Sequence, residues 1–191
     1  MKKSLRALVT ICLCFIVCAC VYVLFRYQNT SAVRPADQYG VTMDQTHSQV
    51  DKDGDGMDDQ TDILQGALDY VATEPKYKSK YYTSGYPDDG YGVCTDVVAY
   101  AMKWAGYDLM ELVSRDIANN PDDYGIEQPD IRIDFRRVKN LKIFFEHTAI
   151  DLTTEMEAIG EWQGGDIVLF ENHIGIVSDR RNKNGVPYVI H

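Results

Sequence analysis

Between Ala7 and Phe25 the chain carries no charged side chain, and this one segment divides the molecule in two. As a helix at about 1.5 Å per residue it spans roughly 28 Å, close to the hydrocarbon thickness of a bilayer. Lys2, Lys3 and Arg6 precede it, and a cationic N-terminus favours an N-inside, C-outside orientation. A cleaved signal peptide has an apolar region of only about 7–15 residues, so residues 1–26 read as an uncleaved signal anchor, a transmembrane helix. A lipoprotein site within Val17-Cys18-Ala19-Cys20 fits less well, because the apolar run continues through Val21-Tyr22-Val23-Leu24-Phe25. Under each reading the remainder is exported, and with the anchor retained it stands at the outer face of the cell membrane. About 165 residues then hold one hydrophobic core and no more.

Four of the five cysteines (Cys12, Cys14, Cys18 and Cys20) lie inside the apolar segment, and Cys94 alone lies in the exported domain. A lone cysteine cannot close an internal disulfide, so its thiol is free. Oxidising compartments select against idle free thiols, and one kept there points to reactivity. Charge narrows the partners. Lys2, Lys3, Arg6 and Arg26 precede every acidic residue, leaving 15 basic against 29 acidic side chains in the remainder, a formal charge near −14. Phosphate backbones would be repelled, which excludes nucleic acid as a partner.

Residues 27–50 are polar, include Pro35 and Gly40, and read as a stalk. Beyond Asp51–Asp62, apolar residues at Ile63, Leu64, Ala67, Leu68 and Val71 predict a helix from Ile63 to about Thr73. Tyr77 to Gly92 is a tyrosine-rich loop with turn chemistry at Pro87-Asp88-Asp89-Gly90. A second helix runs from Val93 to Ala105 and stops at Gly106, and a short third covers Leu109 to Ile117. Asn119 to Asp134 reads as irregular, and Leu141 to Phe145 as helix or strand. Ile167–Phe170, Ile174–Val177 and Tyr188–Ile190 are short apolar strands, with a turn at Asn182-Lys183-Asn184-Gly185. Helices first and a strand meander last make an α+β domain over residues 63–191.

Cys94 at a helix start meets unpaired amides and the positive end of the helix dipole, which favour the thiolate. A distant histidine, His173, stands at the head of an apolar strand, and Cys with His is the outline of a thiol nucleophile and its general base. A hairpin centred near Asn182 pairs residues whose numbers sum to about 364, so His191 faces His173 across the strands. His191 then orients the catalytic imidazole, with Asp179 and Asn172 as fallbacks.

Gly92-Val93-Cys94-Thr95-Asp96-Val97-Val98, Arg136-Arg137-Val138 with Asn140-Leu141 and Phe144-Phe145, and Gly165-Asp166-Ile167-Val168 with His173-Ile174-Gly175-Ile176-Val177-Ser178-Asp179 resemble an uncharacterised bacterial family, domain of unknown function 1287. That domain in turn looks like the NlpC-type papain-like cell-wall peptidases, over roughly Tyr82 to His191. The resemblance implies Cys94 as nucleophile, His173 as base, His191 as orienter and a catalytic cycle without cofactor. It implies a membrane-anchored hydrolase that cleaves an amide in cell-wall peptide. In the peptidases a Ser-Gly follows the nucleophile, where this chain has Thr95-Asp96.

Other residues take supporting roles. Asp96 complements the helix dipole or contacts substrate. One of Tyr81, Tyr82, Tyr86 and Tyr91 lines the cleft. Asp166 fixes the turn before its strand, and Arg136 and Arg137 form a solvated or ion-paired surface. His47 and His147 read as surface residues. Asp51, Asp53, Asp55, Gly56, the Met57 carbonyl, Asp59 and Asp62 match positions 1, 3, 5, 6, 7, 9 and 12 of a calcium loop, and the segment looks like the half-hands of dockerin-type modules. A structural calcium ion would tie the stalk to the domain. Two further readings compete with the thiol hydrolase. Cys94, His173 and His191 suit a tetrahedral zinc with one open position, and the same fold without catalysis would be a wall-binding module.

Overall fold

In the computed structural model, residues 2–29 and 48–191 are described, with side chains from Val9 to Val23 in the first helix. Most of the stalk, and His47 with it, lies outside the described residues. The apolar segment is helical: α1 covers Lys2–Asn29, and its large apolar side chains between Val9 and Val23 are exposed. Among the described residues no helix is long and apolar enough to cross a membrane.

The rest is a mixed α+β domain with small sheets, and its element order follows the predicted one. Helix α2 (Asp59–Ala72) begins four residues before the expected start. Asp58 caps it, accepting from the Thr61 amide at 3.2 Å, so the helix extends back into the acidic loop. Helix α3 (Cys94–Trp104) begins at the cysteine itself. Helix α4 (Leu109–Asn119) follows, capped by Asp108 at the Met110 amide. The stretch expected to be irregular contains two single-turn helices, α5 (Pro121–Tyr124) and α6 (Ile131–Asp134). Proline at the first position starts α5, and the Asp130 carboxylate caps α6. Helix α7 (Val138–Thr148) settles the ambiguous apolar run as helix, its Leu141, Phe144 and Phe145 facing inward.

Two sheets frame the cysteine. Strands β1 (Lys76–Tyr77) and β2 (Tyr91–Gly92) pair in parallel and close the tyrosine-rich loop at its base, immediately before α3. Strands β3 (Ile167–Leu169), β4 (Ile174–Arg181) and β5 (Pro187–Ile190) form an antiparallel meander in that order. Helix α2 packs along α3, and α3 lies against β4. The core between them holds Val98, Ala101, Leu109, Val113, Tyr124, Phe135, Leu141, Ile174 and Ile176, all with no exposed surface.

One interaction inside this core departs from the expected surface arginines. Arg136 is buried, and its guanidinium grips Asp96 with two bonds, Nε to Oδ1 at 2.6 Å and Nη2 to Oδ2 at 2.9 Å. Its Nη1 donates to the Lys80 carbonyl at 2.6 Å, and its plane lies 5.0 Å from the centre of the Tyr82 ring. Asp96 Oδ2 also accepts the Val93 amide at 2.8 Å, closing the start of α3. Thr95 Oγ1 donates to the Arg136 carbonyl at 3.2 Å. Two of the three residues that follow Val93 therefore fasten α3 to the segment before α7. Arg137 is exposed, as expected. Breaking a buried pair from one side strands the other charge, so Arg136→Ala is expected to lower the unfolding free energy by about 3–5 kcal/mol in urea titrations. A loss of less than about 1 kcal/mol, the value of a surface pair, would show that the pair does not anchor α3.

Candidate active site

Cys94 is the first residue of α3, half-buried, with Val93 in extended conformation before it. As the first amide of a helix, the Cys94 N–H has no intrahelical acceptor and is available to a ligand. Immediately before it, Gly92 lies over a tyrosine. A β-carbon on Gly92 would fall 2.3 Å from the Tyr70 hydroxyl, so only glycine lets β2 cross α2 this closely. The Tyr70 hydroxyl is buried without a hydrogen-bond partner, and burial together with the Asp96 charge pushes its pKa well above the ordinary tyrosine value. Tyr70 is the site residue that sequence reasoning missed. It sits on the helical face of α2 among core residues, and only a glycine two positions before the cysteine hints at it.

The histidines are brought together from β4 and β5. His173 ends the turn between β3 and β4, where its carbonyl accepts the Phe170 amide at 2.8 Å. The rings of His173 and His191 meet edge to face, with centres 4.7 Å apart. The register differs from the expected one. Ile176 pairs with Ile190 and Val177 with Val189, so continuing the ladder puts His191 across from Gly175 and diagonal to His173. The cause is the turn, which centres two residues later than expected, with Arg181 opposite Pro187; an irregularity between Val177 and Arg181, where β4 carries two extra residues against β5, takes back part of the shift. A shift of two residues keeps both histidines on one face of the sheet, which is why the pairing survives. Gly175 makes room for it: a β-carbon there would stand 2.5 Å from Val189 Cγ1 and 3.4 Å from His191 Cβ.

The histidine contact is aromatic; no hydrogen bond joins the rings. His173 Nε2 is buried with no partner at all. Burial, then the charge of His191, hold His173 below the ordinary histidine value of 6.5. The thiol of Cys94 makes no hydrogen bond to this imidazole among the described residues. Asp179 cannot orient His173, because it lies six residues along β4, about 20 Å at 3.3 Å per residue, where the Ser178 hydroxyl donates to it. Asn172 is exposed in the turn beside His173.

The supporting roles divide. Asp96 is placed as a structural residue: it has no exposed surface and its oxygens are taken by Val93 and Arg136. Tyr91 remains half-buried on β2, with the Lys78 ammonium 4.9 Å above its ring. Tyr81, Tyr82 and Tyr86 donate to Asp130, Asp89 and Asp108 and tie down the loop. Asp166 fixes its turn as expected, accepting from the Gln163 amide at 3.0 Å. His147 is exposed, as expected, and is paired there, with Nδ1 at 2.7 Å from Asp116.

Among the described residues, one group of three side chains brings metal-ligating atoms within 4.8 Å of one another: Asp51, Asp53 and Asp55. Cys94, His173 and His191 do not gather in this way, and the geometry offers zinc no ready-made site. Asp59, expected among the calcium ligands, instead turns its carboxylate to the Lys52 amide at 2.7 Å and to the Tyr107 hydroxyl.

With Cys94 leading α3 and the two histidines sharing one face of the sheet, the comparison with known sequences is direct. The chain belongs to the family described as Domain of unknown function (DUF1287). The family model matches residues 64–191, so it takes in Tyr70, Cys94, Arg136, His173 and His191 and leaves the Asp51–Asp62 loop outside. A relative, Uncharacterized protein YijF of Escherichia coli (strain K12), is 37% identical over 143 residues, 68% of this chain and 69% of that protein. No solved structure matches the chain.

The titration of His173 follows from its surroundings. In the folded chain its midpoint is expected below 6.5 by NMR, moving up toward 6.5 in His191→Ala. Between the folded midpoint and 6.5 the unfolded chain binds the extra proton, so this group makes stability fall as pH drops through that window. A midpoint above 6.5 would contradict the burial account.

Proposed function

We propose that the chain is a membrane-anchored, outward-facing cysteine hydrolase of papain-like, NlpC-type architecture that cleaves an amide in cell-wall peptide. The observation that carries the reading is His173 Nε2, a buried imidazole nitrogen with no partner, immediately before the strand against which the cysteine helix packs. A buried polar atom left unbonded costs about 1–3 kcal/mol, and native structures keep few of them. A catalytic base accounts for this one, because its partner is the proton of the nucleophile. Catalytic hydrogen bonds are often long or absent before substrate binds and tighten in the complex, so the present separation of thiol and imidazole is compatible with that role.

The chemistry balances with these residues alone. Cys94 Sγ attacks the carbonyl carbon while its proton passes to His173 Nε2. The Cys94 amide, at the positive end of α3, receives the developing oxyanion. The carbon–nitrogen bond then breaks, and the imidazolium gives its proton to the leaving amine. His173 next takes a proton from water, whose oxygen attacks the thioester, and Cys94 leaves with that proton as the free thiol. His191 packs against the base and holds its ring in place. A neutral His173 at pH 7, as its lowered pKa implies, is in the form that accepts the proton. The anchor rests on the uncharged helical run of α1, and the excess of acidic residues suits a neutral or cationic substrate better than a polyanion.

The test is amine release from purified cell-wall peptides by the full-length chain in detergent. The parent is expected to turn over, Cys94→Ala to be inactive, and His173→Ala to lose about 10²–10⁴-fold. No release by the parent, or release that survives Cys94→Ala, would remove the reading.

A further inference from the structure

Asp62 is 1% exposed, and neither of its carboxylate oxygens has a hydrogen-bond partner. The charges that bear on it are those of Asp55, Asp53, Asp51 and Asp59, so it faces the acidic loop. Protonation does not resolve the difficulty, since a neutral carboxyl still carries a hydroxyl and a carbonyl that need partners. Burial of either form unpaired is unfavourable, and more so beside the grouped carboxylates of Asp51, Asp53 and Asp55. A cation is the partner that satisfies all of them at once.

The loop is shaped for one. Asp51, Asp53 and Asp55 bring ligand oxygens within 4.8 Å of one another. Gly56 turns the backbone with φ +96°, the Met57 carbonyl follows at position 7, and Asp62 stands in the first turn of α2 at position 12. Hard oxygen ligands in this number and flexible arrangement suit calcium, whereas magnesium requires a tight octahedron and keeps several waters.

We infer that Asp51–Asp62 is a calcium site, with Asp51, Asp53, Asp55, the Met57 carbonyl and the buried Asp62 as ligands. Its place in the fold gives it a task. Asp59, between the ligands, receives the Tyr107 hydroxyl from just beyond α3, and the Lys52 amide ties the loop onto it. Gln60 reaches the other way, donating to the Gly164 carbonyl at 3.3 Å and to Asp166 Oδ1 at 3.0 Å. A β-carbon on Gly165 would stand 2.4 Å from the Gln60 carbonyl, so loop and turn are in direct contact. The ion thus clamps the segment entering the domain between the far end of the nucleophile helix and the turn that launches β3. This site lies outside the family-matched region and is independent of the hydrolase reading.

The experiment is thermal unfolding of the full-length chain in detergent, with and without 10 mM CaCl2 (about 100-fold over a Kd near 10⁻⁴ M). Calcium is expected to raise Tm by about 5 °C or more. Asp62→Asn keeps the shape of the side chain and removes its charge. It is expected to abolish the calcium shift without lowering Tm in chelator, and Asp51→Asn to abolish the shift as well. Absence of a shift in the parent, an equal shift with MgCl2, or a shift that survives both substitutions would overturn the assignment.

Discussion

The bidentate contact between Arg136 and Asp96 is the constraint on which the arrangement around Cys94 depends. Two fully buried charges are tolerable only when their oxygens and nitrogens are all engaged, and here they are: Asp96 also takes the Val93 amide, and Arg136 the Lys80 carbonyl. Because those partners come from the loop before α3, from α3 itself and from the segment before α7, satisfying the pair fixes three pieces of chain. Cys94 lies between Val93 and Asp96 and has no freedom to wander. The Thr95-Asp96 that follows Cys94 is thereby explained as structure. Thr95 and Asp96 both reach Arg136.

Where the charge pair leaves nothing unbonded, the neighbouring groups do the opposite. Among the described residues the buried side-chain polar atoms without partners are both Asp62 oxygens, the Tyr70 hydroxyl and His173 Nε2. These atoms lie beneath Gly92 just before α3, at the head of β4, and in the first turn of α2 beside the acidic loop. Unmet polar capacity of this kind is what a folded chain keeps for a ligand, a substrate or a transferred proton. Tyr70 extends the candidate site beyond the cysteine and histidines. Its hydroxyl lies beneath Gly92, two residues before Cys94.

Much of this was legible in the sequence, for physical reasons that also explain the failures. A helix from Val93 followed from apolar spacing, and α3 starts one residue later at Cys94; the three strands followed from short apolar runs bounded by turn residues. The meeting of His173 and His191 was legible because strand periodicity is two: the register was off by two residues, and parity held. Arg136 was misread because a long cationic side chain is normally at the surface, and nothing local in Arg136-Arg137 announces a partner forty residues away. The single-turn helices α5 and α6 were invisible to periodicity, being shorter than the pattern that reveals a helix. Asp59 was taken for a ligand by its place in the loop, but the Tyr107 hydroxyl claims it, a contact that exists only after α2 and α3 have packed.

The central claim is that His173 activates the Cys94 thiol. The most direct measurement is the rate of iodoacetamide alkylation at Cys94, read peptide by peptide by mass spectrometry at pH 7, in the full-length chain and in His173→Ala. An ordinary thiol is only a few per cent ionised at that pH, so a base within reach is expected to make the parent react at least about tenfold faster than the variant. Equal rates in the two proteins would mean that His173 does not act on Cys94, and the hydrolase account would fall.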